Sequence, residues 1–303
     1  MHVVDPTITP LGAAGSLSVQ RTIPTRGAHR IGAWVFVDHY AVTDAPLAMN
    51  VGAHPHTGLQ TASWVFDGII EHRDSAGVHE FIKPGELNLM TAGRGIAHSE
   101  HSVSPDGALR GVQLWIALPE EVRFAEPAFA HFVPVPVHAS GCTARVFLGA
   151  TLGATSPVAT HTPLLGAQLD LDPGTTLALP LDASFEHGVL VDRGTVTIAD
   201  EHERVQARDG HLVVMASGAT EVLLRTESGA RLVLLGGEPF TEPIIMLWNL
   251  IARTHEEITA WRAQWLEELA GTATTHRFGL PVDDIGEPEP VPSAPGTRLR
   301  PRR

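Results

Sequence analysis

Short apolar runs separated by turn-forming residues dominate the pattern from residue 33 to residue 118. Gly, Pro, Asp and Asn bound the runs, and no long stretch with a helical period of apolar positions lies between them. Strands this short and this regularly spaced are typical of an all-β sandwich or barrel. The predicted strands of this first set are Ala33–Val37, Leu59–Phe66, Ile69–Asp74, Val78–Ile82, Leu87–Met90, Ile96–Val103 and Leu109–Leu118.

A second set of strand-like runs lies between residues 144 and 235, and it repeats the first set at a constant offset. The segment PGELNLMTAG aligns with RDGHLVVMASG. Four pairs of identical residues at one constant spacing predict a duplicated β unit. The fold class is therefore predicted to be all-β, with two tandem barrels at residues 1–125 and 146–245. The identical pairs, each 125 residues apart, are Asp67 and Asp192, Gly85 and Gly210, Met90 and Met215, and Gly93 and Gly218.

Three further segments differ in pattern from the barrels. Residues 126–145 are rich in Pro and Ala without a clear period, which predicts an irregular connector. Within residues 246–280, Thr254 and Glu257 form a capping-box pattern and apolar residues recur at helical spacing up to Gly271. This predicts one amphipathic helix that packs on a barrel or across both. Residues 281–303 are Pro-rich with a basic end, and we expect a disordered or loosely draped tail.

Composition narrows the class of protein. The 303 residues carry a net charge of −13, which argues against direct nucleic-acid binding because phosphate contact needs a basic face. Cys142 is the single cysteine, so an internal disulfide is impossible, and a reducing, cytoplasmic location is expected. We interpret Cys142 as a small buried residue rather than a catalytic thiol. No signal peptide and no membrane span are predicted, because no uninterrupted apolar stretch is long enough.

Two pairs of potential metal ligands carry the most specific chemical signal. His54 and His56 are spaced i, i+2, and so are His98 and Glu100. Side chains at this spacing share one face of a strand, so two facing strands would bring three imidazoles and one carboxylate to one metal ion. A single HxH motif is weak, since paired histidines are often polar surface. The second pair and the tight turns between the pairs favour a metal site.

The repeat predicts that only the first barrel binds metal. At the offset of 125 residues, the four ligand candidates correspond to apolar residues or a cation in the second barrel: Leu179, Leu181, Leu223 and Arg225. We therefore expect the second barrel to have a structural or gating role.

The ligand set of the first barrel does not select one metal, since imidazole with carboxylate suits iron, manganese, nickel, copper or zinc.

Other polar and aromatic residues near these motifs are weaker candidates. His101 follows Glu100, so in a regular strand its side chain points away from the metal. Solvent exposure is the favoured interpretation for His72 and His79, and His39 is a candidate either for a contact behind the metal ligands or for the pocket wall. The remaining assignments are a structural turn for Arg94 and core positions for Trp64 and Trp115.

The motifs HPHTGLQ and KPGELNLMTAGRGIAHSE closely resemble the pirin family of the cupin superfamily. LLGGEPFTEPI and the helix start at Thr254 resemble the C-terminal half of that family, so the similarity covers most of residues 10–270. The resemblance implies a bicupin with one mononuclear metal, usually iron, bound by His54, His56, His98 and Glu100. Gln60 replaces the Glu of the general cupin motif, but the carboxylate ligand of pirin-like proteins comes from the later HxE. Thr57 replaces an Arg seen in many members, which could alter the pocket mouth.

The resemblance implies two classes of function. One is an iron-dependent dioxygenase similar to quercetin 2,3-dioxygenases, which would use a flavonol and O2, with Glu100 as the base that accepts the proton of the 3-hydroxyl. The other is a metal-containing redox-sensing regulatory protein that binds a protein partner. A cupin acting on another small phenol is a third alternative. Consumption of quercetin under air by the iron-loaded protein would discriminate between the first two.

Overall fold

The computed structural model describes residues 1–11, 17–42, 49–104, 107–284 and 286–302. The first twelve strands in chain order are β1 (His2–Val4), β2 (Thr7–Leu11), β3 (Leu17–Ile23), β4 (Trp34–Val42), β5 (Asn50–His56), β6 (Leu59–Asp67), β7 (Ile70–Asp74), β8 (His79–Ile82), β9 (Leu87–Thr91), β10 (Ile96–Ser102), β11 (Leu109–Ala117) and β12 (Ala128–Phe132).

The later elements are thirteen strands and one helix. In chain order they are β13 (Val137–Ala139), β14 (Cys142–Leu148), β15 (Ala150–Thr151), β16 (Ala154–Thr155), β17 (Leu164–Leu171), β18 (Thr176–Pro180), β19 (Glu186–Ala199), β20 (Arg204–Arg208), β21 (Leu212–Met215), β22 (Glu221–Arg225), β23 (Ala230–Gly237), β24 (Ile245–Leu247), β25 (Leu250–Ala252) and α1 (His255–Leu269).

Two tandem β-barrels form the body of the protein, as the sequence predicts. The first barrel consists of a sheet in the order β12-β9-β6-β11-β4-β3-β2 and a four-stranded sheet in the order β5-β10-β7-β8. The second barrel is built on a ten-stranded sheet that contains the path β1-β21-β19-β23-β17-β14-β13. Strands β9 and β21 start 125 residues apart, and so do β10 and β22, which supports the duplicated β unit.

The expectation that residues 126–145 form an irregular connector was wrong for most of that segment. Strand β12 pairs with β9 in the first barrel, and β13 pairs with β14 in the second. Pro127, Pro134 and Pro136 lie outside these strands, so they bound the pairing instead of preventing it. The start of the chain belongs to the second barrel and not to the first, because β1 pairs with β21.

A continuous core joins the two barrels. Trp64 of β6 stacks on Phe147 of β14 with ring centroids 4.6 Å apart, and its indole Nε1 donates to Gln168 Oε1 at 2.8 Å. Trp34 of β4 donates in the same way to the carbonyl oxygen of Gly236, at 3.0 Å. The core assignment of Trp64 is therefore confirmed. Both indoles satisfy their only donor across the interface, which removes the cost of burying it.

A buried ion pair lies at the same interface and corrects one prediction. His39 does not line the pocket, because its Nε2 contacts Asp192 Oδ1 of the second barrel at 2.8 Å. Arg110 Nε contacts the same oxygen at 2.7 Å. Alternation along β4 explains the difference, since His39 and the cavity-lining Asp38 point to opposite faces of the sheet.

The last part of the chain returns to the first barrel. Thr254 caps α1 in a complete capping box with Glu257, and Gly271 has a φ of +67° just after the C-cap, as predicted. The buried side of α1 includes Trp261 and Trp265, and it packs in a cluster with Ala97 of β10. No described helix is long and apolar enough to cross a membrane.

Residues 286–302 lie against the first barrel and the strands β24 and β25. The amide of Glu289 donates to the carbonyl oxygen of Ala53 at 3.0 Å. Arg302 and Ile244 exchange backbone hydrogen bonds. Val291 and Leu299 pack partly buried against the cluster around α1. Residues 286–302 therefore run along the protein and contact it at several points.

Candidate metal centre

Strands β5 and β10 place the predicted ligands opposite one another. They pair antiparallel, with His98 directly opposite His54, and Ile96 opposite His56. A register shift between His98 and Glu100 brings Glu100 opposite Val51. All four candidate ligands are buried. The alternation of side chains along paired strands is thus sufficient to gather both motifs on the inner face of the first barrel.

The three imidazoles form one compact group. His56 Nε2 and His98 Nε2 are 3.1 Å apart, and the ring of His54 lies 4.4 Å from that of His98, centroid to centroid. One nitrogen from each of the three side chains lies within 4.8 Å of the others. Nitrogens converging at this spacing are able to share a single metal ion.

Glu100 lies in an overlapping group that also contains a histidine which the sequence analysis missed. Glu100, His98 and His72 have ligand atoms within 4.8 Å of one another. His72 Nδ1 is 3.2 Å from His98 Nδ1, and His72 is directly opposite Glu100 across the pairing of β7 with β10. The predicted solvent exposure of His72 was wrong, since its exposed fraction is 2%. Ile70 lies two residues before His72, on the same face of β7. This apolar neighbour was the signal in the sequence that indicated a buried side chain at His72.

His79 and His101 lie away from the imidazole cluster. The side chain of His79 is 43% exposed and pairs with Glu71, so its predicted exposure is confirmed. His101 points away from the cluster, as predicted, and its two ring nitrogens contact Asn50 Oδ1 at 2.7 Å and Asp284 Oδ1 at 2.9 Å. Arg94 lies at the tight turn expected of it and pairs with Glu126 on the surface.

Backbone carbonyls orient two of the imidazoles. His54 Nδ1 is 2.8 Å from the carbonyl oxygen of Gly52, and His56 Nδ1 is 3.0 Å from that of Asn249. A carbonyl only accepts, so both Nδ1 atoms carry the proton and both Nε2 atoms present a lone pair. Asn249 lies in the turn between β24 and β25, far away in sequence. The C-terminal half of the chain therefore orients one imidazole of the cluster in the first barrel.

Burial sets the charge of the cluster. It lowers the pKa of His54 to about 4 and holds the pKa values of His56 and His98 well below their usual range. The imidazoles are therefore neutral near pH 7, which is the form that binds metal. Burial raises the pKa of Glu100, opposed by the nearby His72 and by a hydrogen bond from Ser63. A bound cation would favour the ionised carboxylate.

A cavity of about 300 Å3 opens onto the ligands. Phe36 and Trp115 form one wall, stacked with ring centroids 3.9 Å apart, and Trp115 meets the edge of the His56 ring. Trp115 is buried, but it also lines the cavity, so its assignment to the core alone was incomplete. Arg21 lies over the other face of Phe36 and binds Asp38 through two hydrogen bonds of 2.8 and 2.7 Å. The wall is suited to a flat aromatic ligand.

A larger cavity of about 590 Å3 lies at the second barrel, next to residues 215–221, but neither of the close ligand groups is there. Among the described residues, both groups belong to the first barrel. At the equivalent positions, Leu179 is buried in the second core, while Leu223 is 43% exposed. Leu223 pairs with Ala178 and not with Leu179, so the repeat shifts by one residue here.

Comparison of the sequence with known families gives two matches that cover most of both barrels. Residues 16–116 match the pirin domain, and residues 166–269 match the pirin C-terminal cupin domain. The chain belongs to the pirin family. The bicupin architecture expected of a pirin is the architecture observed, with the imidazole cluster in the N-terminal cupin.

The proteins similar to this chain include some named as quercetin 2,3-dioxygenases and one named simply as pirin. A Pseudomonas aeruginosa protein named provisionally as a quercetin 2,3-dioxygenase is 40% identical over 84% of this chain and 80% of its own length. Human pirin is 32% identical over 68% of this chain and 72% of its own. A crystal structure of quercetin 2,3-dioxygenase from Acinetobacter baumannii superposes with a TM-score of 0.88 and 35% identity, covering 99% of this chain and 97% of that one.

Proposed function

We propose that this protein is a metal-dependent dioxygenase that cleaves a flavonol such as quercetin with O2, with one Fe(II) as its metal. The observation that carries the proposal is the group of three buried, neutral imidazoles at the floor of a cavity with an aromatic wall. His54, His56 and His98 would hold the ion, and Glu100 would complete the set. The donor chemistry fits a divalent metal, and similarity to named quercetin dioxygenases supports the reaction type.

Bound iron would supply a positive charge for the deprotonated 3-hydroxyl and would exchange electrons with O2. Glu100 would accept the proton of the 3-hydroxyl, because its carboxylate lies beside the imidazole cluster and lines the same cavity. Trp115, which lines the cavity beside His56, would pack against the flavonol rings and orient them. Overall, one flavonol and one O2 become one ring-opened ester and one carbon monoxide.

Aerobic turnover of quercetin tests the proposal. The purified protein is stripped of metal, reloaded with Fe(II) and assayed for loss of quercetin absorbance and for release of carbon monoxide. We expect Glu100→Gln to keep much of the metal and to lose at least about a hundredfold in kcat, as for removal of a general base. Absence of turnover with iron, manganese, nickel, copper and zinc in turn would exclude the dioxygenase. Full turnover by Glu100→Gln would exclude only the base role.

The alternative is a redox-sensing regulatory protein that binds a protein partner through a surface shaped by the metal state. The similarity to human pirin supports this candidate. The two proposals differ in the first experiment. A regulator would bind metal at the same ligands and leave quercetin unchanged.

A further inference from the structure

The carboxylate of Glu100 contacts a serine hydroxyl that belongs to the other sheet of the first barrel. Oγ of Ser63, in β6, lies 3.0 Å from Glu100 Oε1. Trp64, the next residue of β6, stacks on Phe147 of the second barrel, so alternation along the strand directs Ser63 to the inside of the first. Both side chains are buried, so water does not compete with this hydrogen bond.

The hydroxyl of Ser63 has a second partner, which determines the direction of its hydrogen bonds. Gln113 of β11 lies directly opposite Ser63, with Oε1 2.7 Å from Oγ. With a cation bound, the carboxylate of Glu100 is ionised and can only accept. Because a hydroxyl has one proton, Ser63 then donates to Glu100 and accepts from Gln113. A half-turn of the planar amide presents the NH2 group of Gln113 for this purpose.

Glu100 depends on such a partner more than the imidazoles of the cluster do. Each imidazole has a contact that sets its orientation, a backbone carbonyl for two of the rings and His72 for the third. A glutamate side chain has one more rotatable bond than a histidine. Pairing with β5 does not fix its direction either, since the register shifts between His98 and Glu100. Ser63 is the partner that restricts the carboxylate.

We propose that Ser63 is a positioning residue whose hydroxyl, held by Gln113, fixes the direction of the Glu100 carboxylate toward the imidazole cluster. This inference rests on the proposed function for the ligand role of Glu100 and not for the substrate. Carboxylates that bind a metal are commonly held by a hydrogen bond of this kind, and its loss weakens metal binding. The affinity for the metal therefore depends on a strand that carries none of the four proposed ligands.

Binding of Co(II) by the metal-stripped protein tests this inference without any substrate. Co(II) suits imidazole and carboxylate ligands, and its visible absorption reports their number and arrangement. The affinity is measured in competition with a chelator of known affinity. Ser63→Ala should lower the Co(II) affinity by about 10- to 100-fold and change the absorption spectrum. Ser63→Thr, which keeps the hydroxyl, should retain most of the affinity.

Two comparisons separate positioning of Glu100 from a general effect on the fold. In the background of Glu100→Ala the carboxylate is gone, so adding Ser63→Ala should change the affinity by no more than about twofold. Ser99→Ala is the matched control. Ser99 is buried next to Glu100 in β10, and its Oγ has no hydrogen-bond partner among the described residues. This control should keep the wild-type affinity and spectrum.

Three results would overturn the inference about Ser63. They are a wild-type affinity and spectrum in Ser63→Ala, an equal effect of Ser63→Ala with and without the carboxylate of Glu100, and an equal loss of affinity in Ser99→Ala. Quercetin turnover by the Fe(II)-loaded protein is scored separately. Weaker binding in Ser63→Ala without turnover by wild type leaves the inference standing and rejects the dioxygenase, and turnover with an unchanged affinity does the reverse.

Discussion

The Nδ1–H of His56 is donated to the carbonyl oxygen of Asn249, 3.0 Å away and 193 residues further along the chain. This hydrogen bond fixes the tautomer that directs the other ring nitrogen, Nε2, at His98. The turn that carries Asn249 also pairs with the first barrel, because the amide of Ile251 donates to Thr57. The proposed metal centre is therefore built by both ends of the chain, and metal binding should stabilise both.

Metal removal should lower the melting temperature, and the effect should require His56. A ligand present at 100 times its dissociation constant stabilises the folded state by about 2.7 kcal/mol, which corresponds to several degrees for a chain of this size. We expect wild type to lose this increment after chelation and to recover it with Fe(II). His56→Ala should show no increment, while His79→Ala, which removes an exposed histidine, should retain it. Equal increments in all three proteins would contradict the assigned ligands.

Replacement of His72 should weaken metal binding without abolishing it. His72 contacts His98 Nδ1, on the side of the ring opposite to the Nε2 that faces His56. Partners of this kind orient a ligand, and their loss typically costs 10- to 100-fold in metal affinity. We expect His72→Leu to bind one metal per chain with an affinity lower by about that factor, in a competition with a chelator of known affinity. Loss of the metal at every concentration would instead make His72 a ligand.

The four proposed metal ligands could be brought to one face from the sequence alone, because a local spacing determines which face of a strand they share. His54 with His56, and His98 with Glu100, needed only the period of two and one antiparallel pairing. Asn249 and Glu289 could not be found in this way. Their contributions are contacts made by a distant turn and a Pro-rich tail, for which no periodic pattern exists in the sequence.

Residues 126–145 are a segment for which composition gave the wrong prediction. Residues 126–145 carry prolines, and composition alone predicted irregular structure. The chain places Pro127, Pro134 and Pro136 between short strands, where a missing N–H costs no ladder hydrogen bond. The pairing of β1 with the second barrel could not be predicted either, because an edge strand of three residues shows no periodic pattern.

Gly52→Ala should detach residues 286–291 from β5. The added Cβ would overlap the carbonyl oxygen of Glu287, so one of the two backbones must shift away from the other. We expect faster hydrogen–deuterium exchange in peptides covering residues 50–56 and 286–291, measured by mass spectrometry. Gly296→Ala is the matched control, because a Cβ there meets no atom within 4 Å. Unchanged exchange in Gly52→Ala would show that the tail tolerates the methyl group.

The charge of Asp192 should stabilise the junction between the barrels, and its contribution to the free energy of unfolding should depend on pH. Burial acts to raise the pKa of Asp192, but hydrogen bonds and charge from His39 and Arg110 outweigh it, and the net pKa is lowered. A carboxyl with a lowered pKa in the folded state stabilises the protein fully above its unfolded pKa of about 3.9. That contribution is lost as the pH falls through the folded pKa.

Asp192→Asn should therefore lower the free energy of unfolding at pH 7 by about 3 kcal/mol, since it leaves buried partners without their counter-charge. In urea denaturation the difference from wild type should shrink below about pH 4, because the unfolded carboxyl binds its proton there while the folded one does so only at a lower pH. Asp67→Asn is the control, because Asp67 is half exposed and lies 3.8 Å from Arg193 in a surface pair. Its effect should stay below about 1 kcal/mol. A difference for Asp192→Asn that persists unchanged at pH 3 would mean that shape, and not charge, joins the barrels at this point.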